Sequence, residues 1–225
     1  METEIRYYFN EKHYQKLLEQ LKNNKELKYK GCFYELTIQY DHPLKEMSFY
    51  NKDIDGRFRV RCSKDVSNDE ASCKVSWKKR LKETTKGLVN KEEEIEVDFN
   101  YIQLDNLIFL LENVIHMKKV ESYERYRNIF ANDNIEIVVD KYPFGIALEI
   151  ENKGDEKNAE NNIVSWAKCL NLDLKNAYRL SWDDKYTSLC REQNIQIYKD
   201  VKFGLPMPKV WGDVLWVILK EKLKF

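Results

Sequence analysis

Charged side chains recur at every second position in several separate stretches of this sequence. Glu2, Glu4 and Arg6 are spaced in this way, as are Arg57, Arg59 and Arg61. So are Lys74, Ser76 and Lys78, then Glu94, Glu96 and Asp98, then Arg125 with Arg127, and finally Glu149 with Glu151. Glu136 and Asp140 share the same parity. Side chains two apart lie on one face of a β-strand. The intervening positions are often apolar: Phe58 and Val60, Val75 and Trp77, Ile95 and Val97, Leu148 and Ile150. Carboxylates suit a hard divalent cation such as Mg²⁺ or Mn²⁺, and the planar fork of Arg suits phosphate oxygens.

Two arrangements fit this pattern. In a half-exposed antiparallel sheet the charged face meets water. In a closed barrel the apolar faces turn outward onto helices, and acidic and basic strands meet across a lumen. Most of the strands carry one sign of charge, and like charges stacked along one strand repel unless opposite charges or a ligand face them. A lumen holding both signs would suit a polyphosphate with its metal ions. The phosphate loop GxxxxGK[ST] is absent, so phosphate would be held by side chains. Lys79 and Arg80 read either as charges at the rim of such a lumen or as the solvated end of a strand, the second being favoured slightly.

The elements that must position these residues follow from periodicity. Alternation predicts strands over 2–9, 33–41, 57–64, 73–80, 92–99, 118–130, 134–141 and 146–152. Helical spacing predicts helices over 11–24, 103–116, 159–171, 181–193 and 208–225. Strands followed by helices give an α+β domain. With 7 Gly and 4 Pro in 225 residues, no flexible linker stands out.

Composition sets limits on partners and compartment. Lys and Arg number 38 and so do Asp and Glu, which leaves no basic excess for nucleic acid. Five cysteines, odd in number and without CxxC spacing, predict reduced, buried thiols. His13, His42 and His116 lack zinc-site spacing. No apolar run is long enough to span a bilayer. The expectation is a cytoplasmic protein with a small-molecule ligand and no membrane.

Three segments resemble a known family: Glu2-x-Glu4-x-Arg6, Asp55-Gly-Arg-Phe-Arg-Val-Arg61, and DKYPFGIALEIE at 140–151. They are similar, in order over roughly 1–195, to the CYTH superfamily of triphosphate tunnel metalloenzymes. That superfamily includes class IV adenylyl cyclases, thiamine triphosphatases and inorganic triphosphatases. The resemblance implies an eight-stranded antiparallel β-barrel tunnel with peripheral helices. It implies metal ligation by Glu2, Glu4, Asp140, Glu149 and Glu151, with Mg²⁺ or Mn²⁺ as cofactor. Arg6, Arg57, Arg59, Arg61, Lys74, Lys78, Arg125 and Arg127 would bind the triphosphate, with Glu94, Glu96 and Lys78 taking part in catalysis. Leu180-Ser181-Trp182, with Tyr186 and Leu189, is similar to the family's terminal helix.

The sequence departs from the pattern where the family has Lys at the positions of Arg6 and Arg125. Neither Arg could serve as a deprotonated base. The tail 196–225 has no counterpart in the family core and is expected to pack on the barrel or to form a dimer contact. The expected substrate is ATP, thiamine triphosphate or tripolyphosphate, and the expected reaction is hydrolysis. Cyclisation of ATP and non-catalytic nucleotide binding are the alternatives.

Overall fold

In the computed structural model, residues 2–51, 53–81 and 89–211 are described. The alternating stretches form strands β1 (Glu2–Phe9), β2 (Lys28–Asp41), β3 (Gly56–Asp65), β4 (Ala71–Arg80) and β5 (Asn90–Phe99). Strands β6 (Lys118–Ala131), β7 (Ile135–Tyr142) and β8 (Gly145–Asn152) complete the set. They pair antiparallel in the order β2-β3-β4-β5-β1-β8-β7-β6, and β2 pairs with β6 to close the barrel. A ninth short strand, β9 (Asp200–Val201), joins β6 in parallel. Each expected strand is present, with β2 five residues longer at its start than the sequence pattern suggests.

Closure works because each strand has one apolar and one charged face. The outward faces of β1, β7 and β8 (Ile5, Tyr7, Phe9, Ile135, Ile137, Leu148 and Ile150) form the main core with two helices. Helix α1 (Tyr14–Lys22) contributes Leu17, Leu18 and Leu21, and α3 (Ala159–Cys169) contributes Ile163 and Ala167. A smaller core joins Val60 and Tyr40 to Leu111, just after α2 (Leu104–Phe109). The expected 103–116 helix is not uniform: α2 passes into a π-helical turn at Leu110–Val114. On β5 the outward Ile95 and Val97 are 58% and 57% exposed, so this apolar face is left uncovered by the described residues.

Helix α4 (Trp182–Gln193) begins with a capping box between Ser181 and Asp184. This box fixes where the helix starts. Its Trp182 packs on Tyr123, with ring centroids 4.3 Å apart, and lies parallel to Tyr142. The chain after α4 lies against the barrel: Val210 donates its N–H to the Phe144 carbonyl, and Asn10 donates to the Val210 carbonyl. Gly145 is required there, since a Cβ would lie 2.6 Å from Val210 Cγ2. Residues 206–211 are not helical. The rest of the expected 208–225 helix, 212–225, lies outside the described residues.

The cysteines divide. Cys73 and Cys190 are buried and Cys32 and Cys62 half-buried, whereas Cys169 at the end of α3 is exposed, contrary to expectation. No described helix is long and apolar enough to cross a membrane.

Candidate functional site

The strand register brings the alternating charges into one lumen. Glu2, Glu4 and Arg6 of β1, Arg57, Arg59 and Arg61 of β3, Lys78 of β4, Arg125 and Arg127 of β6, and Glu149 and Glu151 of β8 line a single cavity. Arg6 stands opposite Glu149 and Glu4 opposite Glu151 on the β1–β8 ladder. Lys78 stands opposite Glu94 on the β4–β5 ladder. The acids are thus concentrated on β1, β5 and β8, and the bases on β3, β4 and β6.

Most of these charges neutralise one another. Arg6 Nε donates to Glu149 at 2.6 Å, and Arg127 donates to the other oxygen of the same carboxylate at 2.9 Å. Lys78 Nζ lies 2.6 Å from Glu2 and 3.0 Å from Glu94. Behind the lining, Arg125 Nε donates to Glu35 at 2.6 Å. The space left among these side chains is only about 50 Å³. That is room for one or two water molecules, at about 30 Å³ each. A triphosphate would therefore enter by exchanging partners, its oxygens taking the guanidiniums that now hold carboxylates.

Arg59 has no such partner. Only 8% exposed, it stands opposite uncharged Ser76 on β4 and Gln39 on β2. Its Nε finds no acceptor among the described residues. Burying an unpaired guanidinium is costly, and Arg59 is among the residues that line the cavity.

The acidic side has the converse imbalance. Glu4 is pushed up to about 8, by burial first and then by Glu149, Glu2 and Glu92, despite the Arg6 guanidinium beside it. Glu94 rises to about 7, mainly through burial. Glu35 and Glu149 are instead held far below the ordinary carboxylate range: burial opposes this, but Arg125, Arg61 and Arg127 around Glu35, and Arg6, Arg127 and Arg125 around Glu149, outweigh it.

These opposed shifts give the stability a maximum. The contribution of Glu35 and Glu149 is present above the ordinary value of 4.5 and is lost as pH falls through their lower folded values. Glu4 and Glu94 act oppositely, with a penalty that grows as pH rises from 4.5 towards 8 and 7 respectively. Melting temperature, measured by scanning calorimetry with metal chelated, should peak near about pH 4.5 and decline on both sides. A steady rise from pH 5 to 8 would contradict the assignment.

The structure relocates four of the residues singled out in the sequence. Asp140, expected among the metal ligands, is fully buried behind the lining. Its Oδ1 accepts from Arg127 at 2.8 Å, and its Oδ2 accepts from Arg125 at 2.8 Å and Arg127 at 2.6 Å. Both oxygens are occupied, so its place is to align two guanidiniums. Glu94 sits beneath Lys78 and outside the lining. Lys74 and Glu96 pair with each other at 2.7 Å, partly exposed and away from the cavity, because they lie farther along β4 and β5.

Other lining residues escaped the sequence reading. Arg80, read as a solvated strand end, lines the cavity, as do Glu92, Tyr123, Tyr142, Ser181 and Trp182. One further step of alternation from Lys78, Glu94, Arg125 or Asp140 reaches Arg80, Glu92, Tyr123 or Tyr142. Tyr123 is the most altered chemically. Burial raises it, but Arg59, Arg125, Arg61 and a hydrogen bond with Thr37 bring it down to about 7.

A hard divalent cation suits the donor set, which is all carboxylate oxygen, and it would relieve the repulsion that Glu149, Glu2 and Glu92 exert on Glu4. Among the described residues no three His, Cys, Asp or Glu side chains stand close enough to ligate one ion. An ion held here would take one or two protein carboxylates and complete its shell with phosphate oxygens and water, the habit of Mg²⁺.

No protein-family model matches the sequence. A comparison with curated proteins finds no match either. Solved structures do share the fold. A protein of Pyrococcus horikoshii superposes with a TM-score of 0.60 at 18% identity, covering 86% of this chain and 99% of that one. A Vibrio parahaemolyticus protein described as a "putative adenylate cyclase" gives 0.57 at 17% identity, over 81% of this chain and 95% of that one. A chain of the Schizosaccharomyces pombe Mediator head module gives 0.55 at 8% identity, over 76% and 94%. These likenesses establish the tunnel fold expected from the sequence motifs. The fold also occurs in a chain of the Mediator head module, so function has to be argued from the site.

Proposed function

We propose that this chain is a triphosphate tunnel metalloenzyme that binds a triphosphate with Mg²⁺ or Mn²⁺ in the barrel lumen and hydrolyses it. The observation that carries this reading is Arg59, a buried guanidinium whose Nε has no acceptor among the described residues, set between Arg57 and Arg61 on one wall. A polyanion satisfies that wall in a way the lumen's own acids do not.

One or two of the carboxylates Glu2, Glu4, Glu149 and Glu151 would hold the metal. When bound, the ion would draw charge from the phosphate oxygens and acidify an attacking water. Arg59, Arg61 and Arg127 bind phosphate oxygens and stabilise the charge that builds up as phosphorus is attacked. Asp140 and Glu35 hold the Arg125–Arg127 pair in place. Lys78, kept protonated by Glu2, Glu94 and Glu92 although burial opposes it, adds a fixed cation. Trp182 and Tyr142 cover one side of the lining and exclude water.

Tyr123 gives this reading a proton signature. A bound polyanion cancels the positive potential that lowers the phenol, so its pKa should climb from about 7. Tripolyphosphate binding at about pH 8 without metal should therefore take up a proton. Calorimetric titration in buffers of different ionisation enthalpy reads this directly, and Tyr123→Phe should remove the uptake. Equal uptake in that variant would assign the proton elsewhere.

Cyclisation of ATP is the second reading, supported by the shared fold of the Vibrio protein. Incubation with ATP and Mg²⁺ or Mn²⁺, followed by separation of products, decides between them. ADP and phosphate support hydrolysis. Cyclic AMP with pyrophosphate overturns it in favour of cyclisation.

A further inference from the structure

Strand β5 is paired on both sides over only part of its length. On one side β4 accompanies it from Glu92 to Phe99. On the other, β1 meets it at Asn90, Lys91 and Glu92 alone. From Glu94 onward no strand of the described residues lies along that second side. Backbone N–H and C=O groups in an antiparallel sheet point alternately to one neighbour and the other. Half of those in this stretch therefore face outward. Ile95, Glu96, Val97 and Asp98 are all exposed, the two apolar side chains by 58% and 57%. An exposed edge that alternates apolar and polar side chains is a template for one more strand.

Charge decides what kind of strand fits. The ten residues of β5 include five acids and one Lys. Glu94 reaches Lys78, and Glu96 reaches Lys74. Asp98 stands opposite Lys74 on the ladder but loses it to Glu96. Setting two β5 edges side by side would place acid against acid, which is destabilising. The edge calls instead for bases at alternate positions with apolar residues between them.

The chain carries such a segment. Residues 220–225, which lie outside the described residues, read Lys-Glu-Lys-Leu-Lys-Phe. Taken as a strand, Lys220, Lys222 and Lys224 fall on one face, and Leu223 and Phe225 on the other with Glu221. We propose that residues 220–225 of a second copy of this chain add to the open edge of β5, the three Lys facing Glu94, Glu96 and Asp98. Leu223 and Phe225 then extend the apolar face of Ile95 and Val97.

Reach favours a second copy over the same chain. Val210 is held beside Asn10, at the opposite end of β1 from Glu2, and the open stretch of β5 begins past Glu2. Measured along the strands, Glu94 is about 30 Å from that point and Asp98 about 44 Å. The chain from Val210 to Lys220 spans about 33–36 Å only when fully extended. The outer face of β1 that it would cross is filled by α1 and α3.

Sedimentation equilibrium of the full chain tests this, with charge reversal on each side of the contact. The wild type should associate with rising concentration, about ten-fold more weakly at about 0.5 M salt than at about 0.1 M. Lys222→Glu with Lys224→Glu should weaken association about ten-fold or more, and so should Glu96→Lys with Asp98→Lys. An equimolar mixture of the two variants should recover about ten-fold over either alone, since each then offers the charge that the other lacks. All four substituted positions lie in exposed or undescribed parts of the chain, and the tail variant with the salt series stands alone if the edge variant does not fold. A wild type that stays monomeric up to about 1 mM would overturn the proposal. So would association that either variant leaves unchanged, or a mixture that recovers nothing.

Discussion

Arg59→Met should cut triphosphate turnover by about 10²–10³-fold while leaving the fold as stable as the wild type or more so. The two effects have one cause. Arg59 is buried without a carboxylate partner, so its charge destabilises the empty lumen. Methionine fills similar volume without that penalty. Each kcal/mol recovered would raise the melting temperature of a chain this size by about 2–4 °C. A donor aimed at developing negative charge is worth about 10²–10³-fold in rate, so kcat/KM should fall by that factor. Loss of stability together with activity would mean that Arg59 has a structural partner after all. Unchanged activity would remove the basic wall from the mechanism.

Asp140→Asn should produce the largest loss of stability of any single substitution in the barrel. Asp140 is fully buried, and its two oxygens take three short hydrogen bonds from Arg125 and Arg127. Removing its charge leaves two buried guanidiniums under-compensated, a change that costs about 3–5 kcal/mol. The melting temperature should fall by about 6–20 °C, even with all metal chelated. A double-mutant cycle with Arg127→Met should return a coupling above about 1.5 kcal/mol. If Asp140 were instead a metal ligand, chelated protein would melt normally and only metal affinity would drop.

Period-two alternation made the barrel legible, since Arg57-x-Arg59-x-Arg61 and Glu149-x-Glu151 are unlike the mixed faces of solvent-exposed sheets. It located most of the lining but not its ends. Lys74 and Arg80 both share the parity of Lys78, yet only Arg80 enters the cavity, because depth along a strand depends on tilt and stagger that a local pattern does not carry. Asp140 was singled out as a metal ligand, whereas in the structure its two oxygens accept from Arg125 and Arg127. Its neighbours in space, Arg125 and Arg127, arrive through the β6–β7 register, and that register is not written in either strand alone. Glu35 was missed for the same reason: it faces Arg125 across the barrel-closing β2–β6 ladder. The apolar face of Ile95 and Val97 was expected to lie under a helix, and no described residue covers it.

The central claim is that the lumen grips a triphosphate through basic side chains assisted by a divalent ion. Calorimetric titration of tripolyphosphate into wild-type protein, with Mg²⁺ or Mn²⁺ and then with metal chelated, tests it most directly. The account predicts saturable one-to-one binding that tightens when metal is present and is lost in Arg59→Met. Absence of binding with either metal, or equal affinity in the wild type and Arg59→Met, would contradict it.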